Sequence, residues 1–88
     1  MPKGISNKNW FLYIVKCSDD TLYTGISVDI PSRIATHNSG KGAKYVRTRL
    51  PVELVYSEAL ETHKEAILRE IYIKTWSKKK KLALLANN

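Results

Sequence analysis

Residues 11–27 read FLYIVKCSDDTLYTGIS, two short runs rich in aromatic and β-branched residues on either side of a polar SDD. Runs of this kind around a turn-forming segment predict a β-hairpin. With a three-residue loop at 18–20, paired positions sum to an even number, so Leu12 opposes Ile26, Tyr13 opposes Gly25 and Ile14 opposes Thr24. That register collects Trp10, Leu12, Ile14, Leu22 and Ile26 on one face. It places Phe11, Tyr13, Val15, Thr21, Tyr23, Gly25 and Ser27 on the other. A two-residue loop would mix polar and apolar side chains on both faces, so the longer loop is expected. Both tyrosines then share a mixed, cleft-like face, and Gly25 opposite Tyr13 is expected to leave room for a substrate oxygen.

The rest of the chain falls into place around this hairpin. Asp29 is a candidate N-cap and Pro31 suits the first turn of the helix PSRIATHN, in which Ile30, Ile34 and His37 share one side. The segment SGKGAKYVRTRLP, with two glycines, a proline and several cations, reads as a loop. VELVYSEAL predicts a third strand. Thr62 and Glu65 form a capping-box pattern that opens HKEAILREIYIKTW, where Ile67, Leu68, Ile71 and Tyr72 are expected to form the core stripe. Ser77 is placed to cap a last helix, KKKKLALLA, ahead of Asn87 and Asn88. The expectation is a mixed α/β (α+β) fold of order ββαβαα, a small three-stranded antiparallel sheet flanked by helices. One domain over 1–88, with its core at about 10–85, accounts for the chain.

Composition narrows the class of partner. The 88 residues carry a net charge of +7. No acid lies between Asp29 and Glu53 and none follows Glu70, while Arg33, Lys41, Lys44, Arg47, Arg49, Lys74 and the run Lys78 to Lys81 fall in those gaps. One-signed stretches raise the local potential for a polyanion, with nucleic acid the commonest candidate, although a lysine run is also an ordinary solvated helix face. The single Cys17 excludes an internal disulfide, no Cys/His cluster has zinc spacing, and MPKGISNKNW has no apolar run of signal or membrane length. A cytoplasmic protein without a membrane partner is expected, monomeric by default, with a dimer spanning a duplex as the alternative.

Four short motifs give the reading its chemistry. FLY at 11–13, YTG at 23–25, RIATHN at 33–38 and LRE at 68–70 resemble, in order and spacing, the GIY-YIG nuclease domain, most closely its small stand-alone bacterial branch, UPF0213-like. Phe11 stands where the family's first glycine would be, and Thr24 replaces the isoleucine of the second motif. The resemblance implies phosphodiester hydrolysis in nucleic acid, with DNA expected ahead of RNA and the choice between them not fixed by the sequence. Tyr13 or Tyr23 would serve as base or orient the water, and Arg33 would clamp the phosphate. His37 would act as proton relay or phosphate contact, and Glu70 would hold one Mg²⁺ or Mn²⁺ ion. A cation that keeps waters and shares substrate oxygens needs no more than one protein carboxylate. Ionising a phenol of pKa near 10 at pH 7 costs about 4 kcal/mol, a cost that Arg33 and a metal would offset.

Taken one at a time, these residues have plainer readings. Tyr13 and Tyr23 are ordinary half-buried strand residues, Arg33 a surface arginine, His37 a packed helix-face histidine and Glu70 an i,i+4 partner of Lys74. Lys41, Lys44, Tyr45, Arg47 and Arg49 form a candidate nucleic-acid-binding segment, its glycines permitting close backbone approach to a phosphate and Tyr45 stacking on a base or plugging the core. The functional expectation is a metal-dependent endonuclease. Its alternatives are a nucleic-acid-binding module that kept the fold but has little activity alone, and a basic ribosome- or partner-associated protein that rests on charge only.

Overall fold

The computed structural model describes residues 9–86, so Asn87 and Asn88 lie outside the described residues. Its elements are β1 (Trp10–Lys16), β2 (Leu22–Ser27), α1 (Ile30–Asn38), α2 (Lys44–Arg47), β3 (Glu53–Leu60), α3 (His63–Lys74) and α4 (Lys78–Ala86). The strands form one antiparallel sheet in the order β2-β1-β3, with β1 central. The order matches the expected one with a four-residue helix added: Lys44–Arg47 turns where a loop was expected, and Val46 from that turn is buried. A single inward valine in a Gly-flanked basic segment has no periodicity to announce it.

The hairpin adopts the three-residue loop. Leu12 pairs with Ile26, Tyr13 with Gly25 and Ile14 with Thr24. Cys17 N–H donates to the Thr21 carbonyl at 2.8 Å, and Asp20 closes the turn at φ +67°, the left-handed position such loops require. Thr24 falls between Leu22 and Ile26 on the apolar face, where it is buried and its hydroxyl has no partner among the described residues.

The two sheet faces carry separate cores. Tyr13, Val15 and Cys17 pack with Val46 and Val52, and with Ile30 and Ile34 of α1, on one side. Leu12 and Ile14 pack with Ile73, Trp76, Leu84 and Leu85 from the α3–α4 end on the other. Strand β1 is therefore buried on both faces, as a central strand between helical layers must be.

Caps fix the helix ends. Asp29 Oδ1 accepts from Ser32 N–H at 3.1 Å. At the far end of α1, Gly40 at φ +84° and Lys41 donate to the His37 and Thr36 carbonyls at 3.0 and 3.3 Å, a Schellman closure that turns the chain back over the helix. Asn38 then clamps both backbone groups of Val52, at 2.8 and 3.2 Å, tying α1 to the entry of β3. At the start of α3, Thr62 accepts from Glu65 N–H at 3.1 Å; the Glu65 carboxylate reaches Glu61 N–H instead of the cap's own amide. Ser77 caps α4 through Lys80 N–H at 3.1 Å.

One expectation is corrected. Ile67, Leu68, Ile71 and Tyr72 do not form the core stripe of α3: Leu68 and Ile71 are 57% exposed, while Ala66 and Ile73 are fully buried. The helix is held by Ile73 below and by a side clasp in which Arg69 donates twice to Glu58, at 2.7 and 3.2 Å, with Tyr56 donating to the same carboxylate. Apolar residues on both sides of the helix left its rotation undetermined by periodicity. Ile73→Ala is expected to cost about 2–4 kcal/mol in denaturant unfolding, and Leu68→Ala less than about 0.5 kcal/mol. The opposite ranking would restore the other rotation.

Candidate active site

The site begins with Tyr13 at the middle of the central strand. A Cβ at Gly25, its cross-strand partner, would lie 2.5 Å from the Tyr13 hydroxyl and 2.7 Å from Cζ, so the phenol lies across the glycine. The space expected to hold a substrate oxygen is filled by the Tyr13 ring itself, and Gly25 serves that ring. Laid flat, the ring directs its hydroxyl to His37 on α1, 2.9 Å from Nε2, and both residues are almost wholly buried. Tyr23, two residues before Gly25, meets the same imidazole edge-on, with centroids 5.5 Å apart.

The Schellman turn completes the pocket around His37. It brings Gly42 so close that a Cβ there would overlap His37 Nδ1, a buried atom with no hydrogen-bond partner among the described residues. Arg47 Nε holds the loop in place by donating to the Gly42 carbonyl at 3.1 Å. Of the two glycines, Gly40 supplies the left-handed turn and Gly42 the close approach, and that approach is to a histidine.

Tyr13, Tyr23, Arg33, His37 and Glu70 all line one open cleft of about 380 Å³, together with Gly25, Lys41 and Gly42. Arg33 lies one turn before His37, so the two share a face of α1. Glu70 reaches the cleft from α3, and Lys74, one turn later, pairs with it at 3.2 Å while its ammonium sits 5.8 Å from the Tyr23 ring centroid. Among the described residues Arg33 and Lys41 make no ion pair, leaving two cations facing the cleft.

The binding segment divides. Lys41 stands in the cleft wall, whereas Lys44, Tyr45, Arg47 and Arg49 lie outside it. Arg49 is engaged by Asp19 at 3.1 Å and by the Tyr45 carbonyl at 2.7 Å, with its guanidinium 4.0 Å over the Tyr45 ring. Sequence reasoning placed Lys41 with the outer cations and missed both the Tyr13–His37 bond and the seat of Gly42. The paired glycines after RIATHN were the available signal.

Burial sets the protonation of the central pair. It pushes the Tyr13 phenol well above its ordinary range; Tyr23 and Glu70 add to the rise, and Arg33 opposes it. Burial likewise lowers His37, and Arg33 beside it lowers it further. The pair is accordingly a neutral phenol against a neutral imidazole near pH 7.

As a metal site, the cleft offers one carboxylate, Glu70, partly open to solvent. No group of three or more His, Cys, Asp or Glu side chains converges as a cage among the described residues. That donor set does not suit an all-protein zinc site, but it does fit a hard cation such as Mg²⁺ that keeps waters and takes its remaining oxygens from phosphate.

A family model described as the GIY-YIG catalytic domain matches residues 9–83. The chain belongs to this family. UPF0213 proteins of Staphylococcus haemolyticus and Staphylococcus aureus are 53% and 55% identical over 75 residues, covering 85% of this chain and 92% of each relative. The solution NMR structure of the UPF0213 protein BH0048 from Bacillus halodurans superposes with TM-score 0.60 at 41% identity, covering 91% of this chain and 85% of that one. That of EF2693 from E. faecalis superposes with TM-score 0.63 at 34% identity and the same coverage. A GIY-YIG catalytic domain makes the function nuclease-like, with nucleic acid as the class of ligand. Among the described residues no helix is long and apolar enough to cross a membrane.

Two outcomes follow from the buried pair. Because His37 is depressed in the folded state, the unfolded chain binds the extra proton first; stability is complete above the ordinary pKa of 6.5 and falls as pH drops below it. His37→Gln is expected to flatten that slope, at most about 1.4 kcal/mol per pH unit, in unfolding curves recorded between pH 7 and about 5. Gly42→Ala is expected to displace the imidazole and break its bond to Tyr13, read as changed His37 ring shifts in NMR spectra.

Proposed function

We propose that the protein is a divalent-metal-dependent endonuclease that hydrolyses phosphodiester bonds in DNA. The observation that carries this reading is the convergence of two tyrosines, two cations, a histidine and a lone carboxylate on one cleft. Arg33 and Lys41 bind and orient the scissile phosphate and meet the charge that grows on its oxygens during attack. A Mg²⁺ or Mn²⁺ ion held by Glu70 would supply further charge stabilisation at those oxygens.

The buried pair explains how a tyrosine serves as base without standing as a phenolate. As the attacking water loses its proton to Tyr13 Oη, Tyr13 passes its own proton to His37 Nε2 across the 2.9 Å hydrogen bond. The resulting hydroxide forms the new P–O bond and the opposite P–O bond breaks; the leaving oxyanion takes a proton from solvent at the open side of the cleft, and His37 returns its extra proton to solvent through Tyr13. No free phenolate arises, which matters because burial raises the cost of one. Tyr23, on the same wall, orients the water. With Nε2 as acceptor the histidine proton sits on Nδ1, beneath Gly42.

Magnesium- or manganese-dependent cleavage of DNA is expected, with Glu70→Ala and Arg33→Ala each lowering the rate by about a hundredfold or more while the domain stays folded. Tyr13→Phe is expected to lose about 10²–10⁴-fold. The rate should climb with pH through the depressed pKa of His37 and then stay level. A rate that keeps rising toward pH 10 would assign the base to a phenolate instead.

One observation favours the second reading, a module that binds without cutting: Lys74 already neutralises Glu70 at 3.2 Å. Pure protein that binds single-stranded, duplex and branched DNA but cuts none of them with either metal would select it.

A further inference from the structure

The lysines of α4 are not equivalent. Lys80 lies over the Trp76 indole, 4.5 Å from its ring centroid, and Lys79 is exposed. Lys78 and Lys81, one turn apart, line a second pocket of about 220 Å³ with Thr21, Leu22 and Tyr45. Neither makes an ion pair among the described residues, and the sequence has no acid after Glu70. Lys81 is half-buried, and this burial, with Lys74 nearby, lowers its pKa from the ordinary lysine value. An ammonium partly withdrawn from water without a counter-charge is a place where an anion binds favourably.

The pocket's other wall is a rigid aromatic. Tyr45 is 42% exposed, and its ring is braced by the Arg49 guanidinium, itself fixed by Asp19. The ring also lies nearly parallel to Tyr23, 21° apart in plane, with centroids at 6.1 Å. Since Tyr23 lines the catalytic cleft and Tyr45 lines the second pocket, the two cavities meet at this tyrosine pair.

We propose that this pocket is a nucleotide subsite for the strand whose phosphate occupies the cleft, holding a flanking phosphate between Lys78 and Lys81 and its unpaired base or sugar against Tyr45 and Leu22. The proposal rests on the nucleic-acid reading of the cleft. A base can enter only if it is out of the duplex stack, so the subsite favours single-stranded, flapped or frayed substrates over continuous duplex.

The test measures binding of a short fluorescein-labelled single-stranded oligodeoxynucleotide by anisotropy in EDTA, without cleavage. Lys78→Ala and Lys81→Ala are each expected to weaken binding several-fold and to lower the slope of log K against log salt by about 0.7. Lys79→Ala, on the same helix but outside the pocket, should change binding much less. Tyr45→Leu is expected to weaken it about tenfold, with thermal melting used to confirm that the variant is folded. Equal losses for Lys78, Lys79 and Lys81 would show a diffuse field and overturn the subsite, as would no binding at all or equal losses on blunt duplex. The nuclease reading fails separately: selective losses at Lys78 and Lys81 in a protein that never cuts would keep the subsite and remove the catalysis.

Discussion

The hydrogen bond between the Tyr13 hydroxyl and His37 Nε2 is the contact on which the site is built. It joins the middle of the central strand to the first helix inside the core, where a broken polar contact costs more than at the surface. Two glycines make it possible from opposite sides. Gly25 gives the phenol a floor to lie on, and Gly42 gives the imidazole a ceiling without a side chain. Three other cleft residues are placed relative to this pair: Arg33 by helical spacing from His37, Tyr23 by strand spacing from Gly25, and Lys41 by the turn that delivers Gly42.

The electrostatics follow from the same burial. A buried phenol and a buried imidazole both resist charge, so the pair stays neutral, while the cations and the carboxylate stand at the open side of the cleft. This segregation keeps a low-dielectric hydrogen bond beside a solvated, charged surface. The tyrosine question raised by the sequence is thereby sharpened. Tyr13 is the residue whose hydroxyl has a proton acceptor within reach, whereas Tyr23 touches the imidazole only through its ring.

Much of this was legible in the sequence, for identifiable reasons. A hairpin register has one parity, so the three-residue loop fixes which strand residues share a face and puts Tyr13, Tyr23 and Gly25 together. Capping chemistry is local, and Asp29, Thr62 and Ser77 all sit where their side chains dictate. What escaped was contact made through small residues and short turns. The function of Gly25 and Gly42 is defined by the ring that would collide with a methyl group, and nothing in the neighbouring residues names that ring. The four-residue α2 is too short to show a period, yet Arg47 from it secures Gly42.

The rotation of α3 is the remaining case, and it connects an apparent flaw to the site. At about 100° per residue, the face carrying Ala66 and Ile73 also carries Arg69 and Glu70 near its margins, while Leu68, Ile71 and Tyr72 point away. Turning the helix to bury the larger apolar stripe would have hidden more hydrocarbon. It would also have swung Glu70 out of the cleft and separated Arg69 from Glu58, leaving a half-buried carboxylate with Tyr56 as its sole remaining partner. The Arg69–Glu58–Tyr56 clasp holds the helix in the orientation that hydrophobic burial alone would not choose. Because of that clasp, a carboxylate from a distant helix lines the same cleft as Arg33, and the cleft contains both signs of charge.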